Sequence, residues 1–163
     1  MKTRHMNLWR MNPWPHRIFL FLSGLLLLGI GASILLVPHA FFATNGITLG
    51  ASSGDPNLLS EIRAPGGLLT ASALLILLGA FRSRWSSQAL ALSVLVYGSF
   101  GLARALAIAL DGMPAGGILA AMVIELSVAT VGALLLARHS RGITRKQATP
   151  FVSNPLTVSP ATR

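Results

Sequence analysis

The 163-residue chain has no cysteine. That excludes disulfides, thiolate metal sites and cysteine nucleophiles, and it leaves the redox compartment open. Charge is also scarce: 10% of residues are Asp, Glu, Lys or Arg, against about a quarter in soluble domains. With 53% hydrophobic residues and a mean hydropathy of +0.67, too few polar side chains remain to cover a soluble core, so the composition is that of a membrane protein. Acids are scarcer still, 4 against 13 Lys and Arg, for a net charge of +9. In a soluble chain that excess would point to nucleic acid. The positions of the charges point elsewhere.

A spanning helix needs roughly 20 mostly apolar residues, about 30 Å of hydrocarbon at a rise of 1.5 Å each. Four stretches qualify, at about 18–37, 64–81, 87–110 and 115–137. The first holds no charge and stops at Pro38; the third and fourth hold one each, Arg104 and Glu125, and Asp111-Gly112-Met113-Pro114 turns between them. The first run follows a basic lead-in, but its length exceeds a signal-peptide core and no convincing small-x-small cleavage site follows, so it reads as a retained span. Runs such as Leu25-Leu26-Leu27-Leu28 have no polar face at helical period, which excludes a soluble bundle. The expected fold is all-α, an integral membrane four-helix bundle.

On that model eleven of the thirteen basic residues, and no acid, fall on one side: in the N-terminal arm, at Arg82 and Arg84, and from Arg138 onward. Trp9, Trp14 and Trp85 fall there too. The positive charge marks that side as cytoplasmic, so both termini are expected there, and the indoles suit its headgroup layer. The expected organisation is a basic cytoplasmic arm at 1–17, a four-span domain at 18–137, and a basic then disordered tail at 138–163. The partners expected are the bilayer and, at the cytoplasmic face, anionic lipid headgroups. Nucleic acid is not expected. The favoured reading of these basic residues is that they serve only to set topology. Oligomerisation stays open, with Gly24, Gly29, Gly31, Gly98 and Gly101 as possible contact points within or between copies.

Charges within spans are costly and usually find partners. Arg104 lies roughly 9 Å and Glu125 roughly 15 Å below the outer surface by residue rise, close enough for a long arginine to bridge them. Ser93, Tyr97, Gly101, Arg104, Ile108 and Asp111 line one stripe of span three. Gly117, Ala121, Glu125, Ala129 and Ala133 recur every four residues on span four, and the two stripes are expected to face each other. At the outer start of span two, Asp55-Pro56 caps a short helix over about 56–63, with a kink at Pro65. Gly66 and Gly67 would then permit close packing or an unwound turn.

Glu61, Arg63, Arg104, Asp111 and Glu125 thus gather in the outer half as a candidate binding or structural cluster. It can be an ion-pair network locking the helices, a polar pocket for a small molecule or lipid, or a proton site at Glu125. Catalysis is not expected. No nucleophile, metal set or cofactor motif is present, and His5, His16, His39 and His139 scatter outside the spans.

The series Glu61-x-Arg63-Ala64-x-Gly66-Gly67, Arg104, Asp111-Gly112-x-Pro114 and Glu125 resembles a family of small four-span bacterial inner-membrane proteins, domain of unknown function 4345. The likeness covers about residues 20–137. It implies a four-span fold and a bacterial inner-membrane location, and it supplies no activity. The expected role is that of a structural or accessory membrane protein, with small-molecule or lipid binding or transport as the alternative.

Overall fold

The computed structural model describes residues 14–50 and 54–147, with side chains described through Arg138. The described residues form helices, turns and short connections, with no strand. Helix α1 (Trp14–Leu36) ends before Pro38, which opens a short helix α2 (Pro38–Thr44). The same proline does both, because its missing N–H cannot continue one helix yet is not needed in the first turn of the next. Helix α3 (Pro56–Phe81) starts at the Asp55 cap, whose side chain accepts from the Asn57 N–H at 2.9 Å. A 3₁₀ turn (Ser83–Trp85) leads into α4 (Ser86–Asp111), and α5 (Gly116–Gln147) follows. Helix α4 stops at Gly112, whose φ of +94° lies in the left-handed region that favours glycine. Four of the helices are long and apolar enough to cross a membrane.

Three boundaries differ from the sequence expectation. Helix α3 is one unbroken element through Pro65, where a separate short helix over 56–63 was expected. Pro65 withdraws a single donor, the one for the Glu61 carbonyl, and the ladder resumes beyond it. Helix α2 was not foreseen. Helix α5 runs ten residues past 137, since extending an existing helix costs far less than nucleating one. The rest of the tail, from 148, and the arm before Trp14 lie outside the described residues.

Polar residues in the spans are mostly satisfied within their own helices. Ser33, Thr70, Ser127 and Thr130 each donate to the carbonyl four residues back, at 2.7–2.8 Å. Such back-bonding lets a hydroxyl sit on an apolar helix without a partner elsewhere.

Packing divides the helices into two antiparallel hairpins, α1 with α3 and α4 with α5. Glycines set the first. A methyl group built at Gly31 would lie 2.7 Å from the Thr70 backbone nitrogen, and one at Gly66 would lie 2.7 Å from that of Leu35. The two backbones therefore touch where only glycine fits, as small-residue interfaces in membranes require. The hairpins meet near the end of the bundle that carries Arg17, Arg82 and Arg84, here called the basic end. Gly79 packs on Ala89, and a methyl at Gly132 would meet Phe19 at 3.1 Å and Val94 at 3.0 Å. Ser86 Oγ donates to the Gly79 carbonyl at 2.9 Å, and Arg17 Nη2 to Ser83 Oγ at 2.8 Å. Burial follows the same gradient. In α4 the buried residues run from Ser86 to Gly101, and no residue from Leu102 to Asp111 is buried.

Gly66→Ala is expected to lower the stability of the detergent-solubilised protein by about 1 to 3 kcal/mol, the usual cost of overpacking. Gly67→Ala, whose added methyl meets nothing within 4 Å, should be neutral or slightly stabilising. Thermal melting of the two variants side by side checks the difference.

Candidate functional site

The α4–α5 hairpin is built on small residues that let its helices close. A methyl at Gly101 would sit 2.7 Å from Leu126 Cδ2, and one at Gly98 would sit 3.7 Å from the Ala129 Cβ. This register brings Arg104 opposite Glu125. Arg104 Nε donates to both Glu125 carboxylate oxygens, at 3.2 Å to Oε1 and 3.0 Å to Oε2. Glu125 is 7% exposed, whereas the Arg104 side chain is 32% exposed. It is the one ion pair found among the described residues.

The direction of the arginine matters. Its Cα lies seven residues, about 10 Å, from the far end of α4, while Glu125 lies nine residues, about 14 Å, into α5. Helical side chains lean toward the N-terminus of their helix, so Arg104 reaches deeper into the bundle and not back toward the nearer surface. The guanidinium is held at the depth of the carboxylate.

The other three candidates stand apart. Glu61 and Arg63 are exposed on the first turns of α3 and Asp111 is exposed at the end of α4, with no ion pair to one another or to the central pair. Two helical turns separate Asp111 from Arg104, and the arginine is already turned the other way. The structure thus joins two of the five residues. Among the described residues, no group of three or more His, Cys, Asp or Glu side chains could hold a metal ion.

The facing stripes also differ in detail. Arg104, Tyr97 and Ser93 share the inner face of α4 as expected, but on α5 the buried positions are Glu125, Ala129 and Gly132, while Gly117 and Ala133 are exposed. A strict four-residue repeat drifts about 40° per step around a helix with 3.6 residues per turn. Alternating steps of four and three stay on one face.

Tyr97 is the residue whose role the sequence did not reveal. It is the only tyrosine in the chain, it is 2% exposed, and its hydroxyl donates to the Ser23 carbonyl of α1 at 2.6 Å. The bond links one hairpin to the other, below Arg104 on the same face of α4. Its position on the polar stripe was legible; its acceptor, a backbone carbonyl 74 residues away, was not. Tyr97→Phe keeps the ring and removes the bond, and should lower stability by about 0.5 to 1.5 kcal/mol. A shift in detergent melting temperature at unchanged helix content is the readout.

A family model described as a domain of unknown function (DUF4345) matches residues 15–136. No curated protein and no solved structure matches the chain. The matched segment begins in the first turn of α1 and ends within α5, so it spans all four long helices, both hairpins and the Arg104–Glu125 pair. The chain belongs to the DUF4345 family.

Proposed function

We propose that the protein is a structural or accessory component of a bacterial inner membrane, in which the Arg104–Glu125 pair locks α4 against α5. The observation that carries this reading is the buried carboxylate bonded by the arginine Nε through both of its oxygens. A charge inside a span costs about 2.5 to 3.5 kcal/mol on insertion scales. Placing both partners at one depth offsets that cost and selects one register of the two helices. On this reading the protein carries no catalytic activity of its own, and Glu61, Arg63 and Asp111 belong to the outer rim of the bundle.

Orientation follows from charge. The basic end, with Arg17, Arg82, Arg84, Trp14 and Trp85 all exposed, suits the cytoplasmic face, where these cations meet anionic headgroups. A reporter fused after Arg84 should then register the cytoplasm, and one fused after Asn57 the opposite side. The reverse pattern overturns the orientation.

The lock itself is tested by a double-mutant cycle. Arg104→Ala strands a buried carboxylate and should cost about 3 to 5 kcal/mol, less to the extent that the carboxyl protonates. Adding Glu125→Ala should recover part of that loss, so that the double variant is more stable than the summed singles require. Additive losses in the melting temperature argue against the pair.

A second reading, binding of a small molecule or lipid, is favoured by one specific observation. The pair uses only the Nε of Arg104. Four further N–H groups on Nη1 and Nη2 have no hydrogen-bond partner among the described residues.

A further inference from the structure

A lateral groove of about 290 Å³ runs between α1 and α5, walled by Phe19, Leu22 and Leu26 on one side and by Val128 and Val131 on the other. Its two hydroxyls are turned onto their own helices. Ser23 Oγ donates to the Leu20 carbonyl at 3.4 Å, and Ser127 Oγ donates to that of Val123 at 2.7 Å. The groove therefore presents hydrocarbon along its length. Its two walls also share one range of depth. Phe19 to Leu26 lie about 8 to 18 Å from the start of α1 at Trp14, and Val131 to Ser127 about 10 to 16 Å from Arg138 on α5. A hydrocarbon layer about 30 Å thick gives each leaflet about 15 Å, so the groove lies largely in the leaflet at the basic end.

Azimuth connects the groove to Arg138. Ser127, Val131, Leu134 and Arg138 follow one another by four, three and four residues, and at about 100° per residue they stay within a sector of about 60° on α5. Leu134 and Arg138 are both exposed, so the wall continues as an open strip as far as the arginine. Arg138 is the first charged residue after Glu125 on α5. Its stem leans toward the N-terminus of its helix, over that strip, while its head stays at the headgroup layer. Among the described residues no acid pairs with it.

We infer that the α1–α5 groove holds an anionic phospholipid, with one acyl chain along the groove and the phosphate on the Arg138 guanidinium. Walls without a free polar group suit an acyl chain, but in a bilayer apolar fit alone selects little, because every lipid tail is as apolar as leucine. Charge supplies the selection. A guanidinium binds phosphate through paired donors, and a zwitterionic lipid carries its own cation to the same place. A second copy, oriented the same way in the membrane, would bring another basic end beside Arg138. An anionic lipid brings the opposite charge.

The inference rests on the reading that the basic end meets anionic headgroups, and the test separates the two. The intact protein, delipidated in a mild detergent, is incubated with dioleoyl phosphatidylglycerol or dioleoyl phosphatidylcholine, and adducts are counted by native mass spectrometry. A one-to-one phosphatidylglycerol adduct is expected at concentrations where phosphatidylcholine leaves none. Arg138→Gln should lower its occupancy about fivefold, the equivalent of about 1 kcal/mol for one basic residue at an anionic surface. Arg84→Gln, on the turn between α3 and α4 and away from the groove, should leave it unchanged. Leu26→Trp and Val131→Trp fill the groove from opposite walls and should each reduce the adduct at unchanged helix content; two variants keep the test valid if one impairs folding. Phosphatidylglycerol that is retained equally in every variant leaves the headgroup reading standing and overturns this site. Equal retention of the two lipids removes both. A protein dimer that the tryptophan variants dissolve gives the groove to a second copy and overturns the lipid as its occupant.

Discussion

A carboxylate on a membrane-crossing helix cannot remain buried and ionised by itself, and this constraint organises one half of the molecule. Glu125 is almost fully enclosed, and among the described residues the only cation that reaches it is Arg104 on the neighbouring helix. Hydrocarbon cannot substitute for either partner, so the pair discriminates strongly between registers of α4 and α5. Sliding one helix by a turn would leave both charges unmatched. Apolar packing alone discriminates weakly in a bilayer, where lipid tails are as apolar as leucine. Gly98, Gly101 and Gly132 allow the approach, and the ion pair fixes where it occurs.

The other hairpin has no charge in its interface and reaches the same end by shape. Gly31 and Gly66 bring α1 and α3 into backbone contact, and the close fit replaces electrostatics as the source of register. The two hairpins then join through Gly79 on Ala89 and Phe19 on Gly132 toward the basic end, and through the Tyr97 hydroxyl on the Ser23 carbonyl about half-way along α4. Along α4 the packing is dense toward the basic end and gives way to unburied residues after Gly101. The graded packing leaves the guanidinium one-third exposed while its partner is enclosed.

Much of this was legible in the sequence because bilayer physics leaves few options. Four uncharged or singly charged apolar runs specify four spans, and the depths of Arg104 and Glu125 follow from counting residues inward from the Asp111 to Pro114 turn. What was not legible depends on tertiary detail. The unbroken α3 depends on how much a single missing donor at Pro65 matters once neighbouring bonds hold. Glu61, Arg63 and Asp111 looked like members of one cluster because they share a depth. Depth does not fix azimuth, and their side chains are exposed at separate places. Tyr97 bonds to a backbone carbonyl, a partner that every residue offers and no sequence pattern singles out.

The absence of cysteine allows the α4–α5 register to be read directly in native membranes. The space between Gly98 and the Ala129 Cβ is 3.7 Å from an ideally built Cβ, within the range of about 3.5 to 4.5 Å found in disulfides. Paired Gly98→Cys and Ala129→Cys substitutions should therefore form an intramolecular disulfide under mild oxidation, with no free thiol left to alkylate. A pair that stays reduced, while Gly98→Cys crosslinks instead to a cysteine placed one turn away at Ala133, would show that Arg104 does not face Glu125 and would contradict the account.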